Sequence, residues 1–520
     1  MKKIFLDADS INNENLVAFL KSETWPVSES LFWKLTNFIF DEYIKEIKLL
    51  DKKSYKIATI EIRFLPLLIN ILHYNYIKNY ASKNKFEYVY TKSAGKFLNP
   101  DWEKISNEYQ SFNYPYNKLQ RVIRRLIKLI YFNRHLSIKK ILNGIFTKKV
   151  NISFGSLDKI KQNYIKKTNI FFLHLEWIDL VNRTNFKLDK INKNKKTNIN
   201  IINNILIKLK NKPTFKLFIS GLNLNKVNIA SKKRLQSISL IYDYLQSLKT
   251  PKQIILTESL NPFHKIISSA YLSKGSNVRN FSHGNDLGLI CQKWARTYFY
   301  VQAGNYGVEN KKIYNIFKKE SNKLPLAKIE KTAFFSVNTN IGLRRKNITF
   351  TKINRNKIKK VMLIGFPMNS TRYISDAYCF FDYALRLEIY ILNQLKSLGY
   401  YTIYKAHPDR LKTIGNLMLN FANECDSNKF EHVWHKADAL IFKHCTTTTF
   451  GYAITTDLPI VLLNEKSTDW NYQRKSQIKK RIHILSYSYN NKLTGLSKNN
   501  LIKGLQNAKN KTPLNKIKAF

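Results

Sequence analysis

Acidic residues are scarce in this 520-residue chain: 35 Asp+Glu stand against 88 Lys+Arg, a net charge of +53. The sequence pI is near 10.0. Cysteine is rarer still. Cys291, Cys379, Cys425 and Cys445 are scattered and form no Cys-x-x-Cys pair, so neither a disulfide framework nor a zinc ribbon is expected. With 16 Gly and 12 Pro, collagen-like and low-complexity classes are excluded. There is no P-loop, no Gly-x-Gly-x-x-Gly and no Gly-x-Ser-x-Gly. The start, MKKIFLDADSINNEN, reaches acidic residues after three apolar ones and lacks a signal-peptide core. The most apolar stretch, Phe64 to Leu72, falls short of the roughly 18 residues that a spanning helix needs. The expected compartment is the cytoplasm, with any membrane met from outside.

What is present is the material of a folded protein. Apolar types make up 44%, charged types 24% and aromatics 13%, and the length suggests two to four domains. A surface this basic attracts nucleic acid, anionic lipid headgroups or acidic polymers. Part of the excess is compositional, because Lys, Asn and Ile are abundant together throughout.

Ile4 to Leu6, Lys56 to Ile62 and Phe86 to Tyr90 read as strands, and Leu65 to Tyr80 and Lys118 to Phe146 have helical apolar spacing. Lys190 to Pro213 reads as a loop running into a helix. After Pro213 strands and helices alternate. Strands are expected at Thr214–Ser220, Gln253–Thr257, Asn277–Phe281 and Tyr298–Val301, with helices at Lys232–Leu248 and Pro262–Leu272. Past a basic connection at Leu343 to Lys360, a second series begins. Its strands are expected at Val361–Ile364, Tyr401–Lys405, Ala439–Phe442 and Pro459–Leu463, with helices at Tyr378–Leu398, Ile414–Glu424 and Phe450–Thr455. This is the punctuation of parallel sheets covered by helices. The expected fold is α/β, with two Rossmann-like domains facing across a cleft. The N-terminal one takes residues 1–342, of which 1–212 have no clear affinity. A linker at 343–360, a nucleotide-binding domain at 361–495 and a C-terminal helix and tail at 496–520 complete the chain.

Three stretches at or after strands carry candidate chemistry: FSHGNDLG at Phe281–Gly288, YKAHPDR at Tyr404–Arg410, and the run from Ala437 to Asn464 with four threonines after a strand. Threonine hydroxyls and amides at a helix start can bind phosphate, although an ordinary N-cap uses the same residues. His407 followed by Pro408 puts an imidazole on a stiff turn beyond a strand.

Together these resemble the nucleotide-binding half of GT-B transferases that build bacterial surface polymers. In sialyl- and polysialyltransferases, capsule Kdo transferases and teichoic-acid glycerophosphate polymerases, a strand ends in Lys-x-His-Pro and a later Ser/Thr-rich turn leads through a helix to a strand starting with Pro. Lys405, His407 and Pro408 match the first motif; Thr446, Thr447 and Thr448 match the second. His283 and Gly284 match a His-Gly pair of the polymerases, and Ala303 to Gly307 a Gly-x-x-Gly-like turn. The resemblance covers residues 213 to 465. It departs from the polysialyltransferases in having only Glu258 where they carry paired acids, and from the polymerases in having Lys443, His444 and Cys445 before the turn.

The resemblance implies a metal-independent inverting glycosyltransferase without a cofactor. It would take a nucleotide-activated, CMP-linked sugar to a polysaccharide or lipid-linked glycan acceptor. Lys405, His407, Pro408, Thr446 to Thr448 and Gly365 would hold the donor, Gly284 and Asn285 would face the acceptor, and His283 would be the base with Glu258 beside it. The alternatives are a CDP-polyol phosphotransferase and a nucleic-acid-binding protein with a degenerate transferase fold. Nucleic acid is the less favoured partner, because no RRM, helix-turn-helix or zinc-finger pattern occurs. Asp7-Ala8-Asp9 could be a metal-binding pair or a phosphatase nucleophile, but a capped strand end is the simpler reading. His432, His435 and His444 lack zinc-ligand spacing. The basic, apolar-rich segment Lys118 to Phe146 is expected either to lie on an anionic inner-membrane surface or to be a core helix with a solvated face.

Overall fold

The computed structural model describes residues 2–22, 25–109, 118–147, 150–156, 158–182, 199–257, 261–282, 288–291, 293–338, 357–365, 381–407, 414–465, 470–490 and 492–511. The chain is α/β, built on two large, mainly parallel sheets, consistent with two Rossmann-like domains.

A small parallel pair, β1 (Lys3–Phe5) and β2 (Glu87–Val89), brackets the N-terminal helices. The first large sheet holds β3 (Asn151–Phe154), β4 (Leu173–Leu175), β5 (Gln253–Thr257), β6 (Asn277–Phe281), β7 (Asn305–Val308) and β8 (Ala333–Ser336). They lie in the order β4-β3-β5-β6-β7-β8, all parallel. The second holds β9 (Lys360–Ile364), β10 (Tyr401–Lys405), β11 (Glu424–Asp426), β12 (Ala439–Phe442), β13 (Ile460–Glu465), β14 (His483–Asn490) and β15 (Lys492–Thr494). Its order is β11-β10-β9-β12-β13-β14-β15, and only the β14–β15 pair is antiparallel. Numbered within its own sheet, this is the 3-2-1-4-5-6 winding of dinucleotide-binding folds. In each sheet the first strand is flanked on one side by its successor and on the other by a later strand. The winding therefore reverses between β3 and β5 and between β9 and β12.

Local chemistry explains the helices that cover these sheets. Asn261 accepts from the Phe263 amide at 2.9 Å and Pro262 opens the helix Pro262–Ser273, as expected. Gly399, with φ +80°, ends the helix Phe381–Ser397 in the left-handed conformation that glycine tolerates. The apolar helix Phe64–Asn84 is buried along most of its length. Among the described residues no single helix is long and apolar enough to cross a membrane.

Several elements differ from expectation. Lys56–Glu61 is helical, within Lys52–Glu61, with Ile62 in the turn that follows, because Asp51 caps the amides of Lys53 and Ser54. Thr214–Ser220 forms a 3-10 turn and the short helix Lys216–Ile219. Asn75 and Asn79 donate to its closing carbonyls at Leu217, Phe218 and Ser220, which takes the place of a strand partner. Tyr298–Tyr300 ends a helix, Lys293–Tyr300, and Val301 follows it in a turn, so that no strand forms there. The Ile414–Glu424 helix stops at Met418, and Glu424 opens β11, where Lys436 ties Glu424 and Asp426 together. Lys118–Phe146 breaks into Lys118–Asn133 and Ile138–Phe146, the second capped by Ser137. Of the Ala303–Gly307 turn, only the start is a turn: Gly304 has φ +66°, and Asn305–Gly307 lie in β7. The first sheet also starts earlier than expected, at Asn151 rather than after Pro213.

The C-terminal helix Lys498–Lys509 packs on β13 and β14 through Leu501, Leu505 and Ala508. The N-terminal helices and the second sheet meet at Trp25. Its ring stands edge-on to Phe381 at 5.4 Å, and its carbonyl accepts from the Tyr383 hydroxyl at 3.0 Å.

Candidate functional site

Strand register aligns the residues that the sequence singles out in the second sheet. Ile364 pairs with Lys405 on one side and with Phe442 on the other. The ends of β10, β9 and β12 are therefore level, about 4.8 Å apart from strand to strand. Gly365 follows β9, Ala406 and His407 follow β10, and Lys443 to Thr448 follow β12, all on the carboxyl edge that flanks the reversal between β9 and β12. Open α/β sheets bind ligands at that edge.

Each residue is held differently. The Gly365 amide donates to the Lys405 carbonyl at 2.9 Å. Lys405 is buried, and its ammonium donates to the Ala406 carbonyl at 2.7 Å. Burial lowers its pKa below the ordinary lysine value, against the opposing pull of Asp426 and Glu431. His407 is half-buried. Thr447 caps the helix Thr448–Ala453, accepting from the Phe450 amide at 3.1 Å, whereas Thr446 and Thr448 are exposed. The threonines thus divide into one structural cap and two side chains at the surface. His444 is held down to about 3 by desolvation and by neighbouring Lys443, so it is neutral at physiological pH.

Glu258, His283, Gly284, Asn285 and Pro408 lie outside the described residues. The strands that lead to the first four are described: Thr257 at the end of β5 pairs with Phe281 at the end of β6. Downstream of β6, residues 288–291 reach the second sheet. Leu289 packs in that sheet's core and its carbonyl accepts from the Asn471 amide at 2.9 Å, while Ile290 bridges Trp470. Trp470 in turn donates to Asn464 near the end of β13, at 2.6 Å. The segment after β6 and the carboxyl end of β13 are thereby joined.

Sequence reading missed a second group, at the reversal between β3 and β5. Lys161 is fully buried and donates to the carbonyls of Phe154 (2.6 Å) and Ser156 (3.2 Å), which shapes the turn after β3. Burial brings its pKa down to about 7. His264 and His174 lie in the same field. Desolvation and then the Lys161 charge lower them to about 4 and about 2. Gly155, with φ +78°, lies against His264: a Cβ there would be 3.0 Å from Cε1. The strand–Gly–helix pattern SFGSLDKIKQ was the available signal.

Asp7 is a structural cap. Its carboxylate accepts from the amides of Ser10 (2.8 Å), Thr91 (2.9 Å) and Ala94 (3.0 Å) and from the Thr91 hydroxyl (3.0 Å). Asp9 accepts from Ser93 at 2.7 Å. No protein-family model matches the chain, and no curated protein matches it.

Proposed function

We propose that the protein is a metal-independent inverting glycosyltransferase of GT-B type that transfers sugar from a nucleotide-activated, CMP-linked donor during bacterial surface polysaccharide synthesis. One observation carries the reading. Gly365, His407 and the Thr446–Thr448 turn stand on one carboxyl edge, at the reversal of a sheet wound in the dinucleotide-binding order. The link from Leu289 to Asn471 adds support, because it draws the segment after β6 toward the same sheet.

In this reading the donor's phosphate lies across the ends of β9 and β12. As the glycosidic oxygen departs, charge accumulates on that phosphate, and His407 with the exposed Thr446 and Thr448 hydroxyls supplies donors to it. The acceptor hydroxyl loses its proton as it attacks. A histidine, with an unperturbed pKa near 6.5, suits that task better than a carboxylate near 4.3, which favours His283 as base with Glu258 orienting it. The reaction takes place in the cytoplasm, at the inner membrane face where lipid-linked acceptors are built.

Thermal-shift titration of the full chain with CMP, CDP, UDP and GDP tests the donor class. Stabilisation by CMP that His407→Ala removes supports the reading. Stabilisation by CDP alone turns it to the CDP-polyol phosphotransferase. No response to any nucleotide, with salt-sensitive RNA or DNA binding of defined site size, replaces it with the nucleic-acid-binding alternative.

A further inference from the structure

The helix Lys118–Asn133 is turned inside out. A helix on a globular protein normally faces its aliphatic stripe inward and its charges outward. Here Arg125 pairs with Asp179, and Lys128 pairs with Glu176 at 2.6 Å, both on the protein side. Phe132 is buried against His174, with ring centroids 4.1 Å apart. Asn133 exchanges hydrogen bonds with the backbone of Phe172 at 2.9 and 3.0 Å. These contacts fix the helix's rotation and leave Ile123, Leu126, Ile127 (60% exposed) and Ile130 (63%) facing solvent.

The next helix, Ile138–Phe146, also turns apolar side chains to solvent. Gly144 sits against the Phe171 ring, where no larger residue fits, and Ile138 (77%), Leu142 and Phe146 (81%) point outward. Half of the exposed large apolar side chains among the described residues belong to these two helices, 11 of 22. Exposed apolar side chains concentrated in this way mark an interaction site.

Charge selects the occupant. From residue 109 to residue 157 the chain has no Asp or Glu but ten Lys and Arg. Arg124, Arg134, Lys139 and Lys140 are exposed around the apolar face. A second copy of this chain would bring the same unrelieved positive charge against itself. Nucleic acid would set its phosphates against aliphatic side chains. An anionic bilayer satisfies both features, with acyl chains for the apolar face and headgroups for the surrounding cations.

We infer that this helix pair docks the protein on an anionic lipid surface, with its apolar face in the headgroup–acyl boundary. The inference does not depend on the transferase reading. Flotation of the full chain with phosphatidylcholine vesicles, with and without phosphatidylglycerol, tests it. Binding is expected only with phosphatidylglycerol present, and Ile127→Gln/Ile130→Gln should lower it by about tenfold with an unchanged thermal transition. An independent pair, Leu142→Gln/Phe146→Gln, should do the same. Binding that survives both pairs but disappears in high salt would reduce the surface to charge alone and overturn the inference. Equal binding to neutral vesicles would overturn it as well. So would a lipid-free dimer in light scattering that Ile127→Gln/Ile130→Gln dissociates, because the face would then belong to a second copy.

Discussion

Gly365 lies so close to the Tyr404 ring that a Cβ in its place would be 2.6 Å from Cζ. Tyr404 has no room to retreat: it is buried, and its hydroxyl donates to Glu388 at 2.9 Å. Gly365→Ala should therefore lower stability by about 1–3 kcal/mol through overpacking. Urea denaturation measures this, and an unchanged midpoint would mean that the β9 turn relaxes freely.

The three threonines should separate by experiment. Thr447→Ala removes the cap of the helix Thr448–Ala453 and should cost about 1 kcal/mol of stability. Thr446→Ala and Thr448→Ala should leave stability unchanged and weaken donor turnover modestly, since neighbouring donors partly substitute. His407→Ala should abolish turnover while the thermal transition stays in place. Equal losses of stability in all three threonine variants would remove the distinction.

β5, β9, β10 and β12 were legible in the sequence because each is a short, mostly apolar run followed by turn or capping residues, whereas β6 (NVRNF) was legible from its place after a helix in the alternation. Their register, and so the alignment of Gly365 with Lys405 and the Thr446–Thr448 turn, emerges only from pairing. β3, β4 and β7 escaped because they are three or four residues long and include polar members such as Asn151, His174 and Asn305. They are strands because neighbouring strands pair with them. Tyr298–Val301 misled in the opposite direction. Its aromatic residues suit a strand, yet they pack as the last turn of a helix. Lys161 and His174 carried no sign of burial, because a lone basic residue in a basic chain reads as surface. Rotation of the Lys118–Asn133 helix was equally hidden, since Arg125 and Lys128 find their acidic partners about fifty residues away.

Arg234 joins the helix Leu224–Ser247 to two others. It pairs with buried Glu61 and with Glu108, and donates to the Ile105 carbonyl at 3.0 Å. Arg234→Met should cost about 3–5 kcal/mol, because Glu61 is left buried and uncompensated. Adding Glu61→Leu should recover part of that loss. Strict additivity of the two variants, measured by denaturation, would show that the pair is not coupled.

Asp7 provides a test of the capped-strand reading. Removing its carboxylate leaves the buried Ala94 amide and its neighbour at Thr91 without their acceptor. Asp7→Ala should lower stability by about 2–4 kcal/mol. If Asp7 instead held a metal, EDTA would lower the thermal transition of the unaltered protein, and no such shift is expected.

Stability should fall as the solution is acidified below about pH 6.5, and desolvated histidines supply the reason. His73 accepts from the Trp25 indole at 2.9 Å through Nε2, so that nitrogen carries no proton. Burial holds His73 down to about 3, His264 to about 4 and His174 to about 2. In the unfolded chain each titrates near 6.5. Above that value both states are neutral and the folded protein loses nothing. Below it the unfolded chain binds a proton at each of these histidines, and at His444, that the folded one refuses, and each then removes about 1.4 kcal/mol per pH unit. Glu61 works in the opposite direction, since burial raises its pKa and makes the folded state the better proton acceptor. The net slope is therefore smaller than the histidines alone would give. Urea midpoints between pH 7.5 and 5.0 measure that slope, and His264→Gln isolates one contribution by flattening it by about one proton. An unaltered slope would mean that His264 is already protonated in the fold, which its burial beside Lys161 opposes.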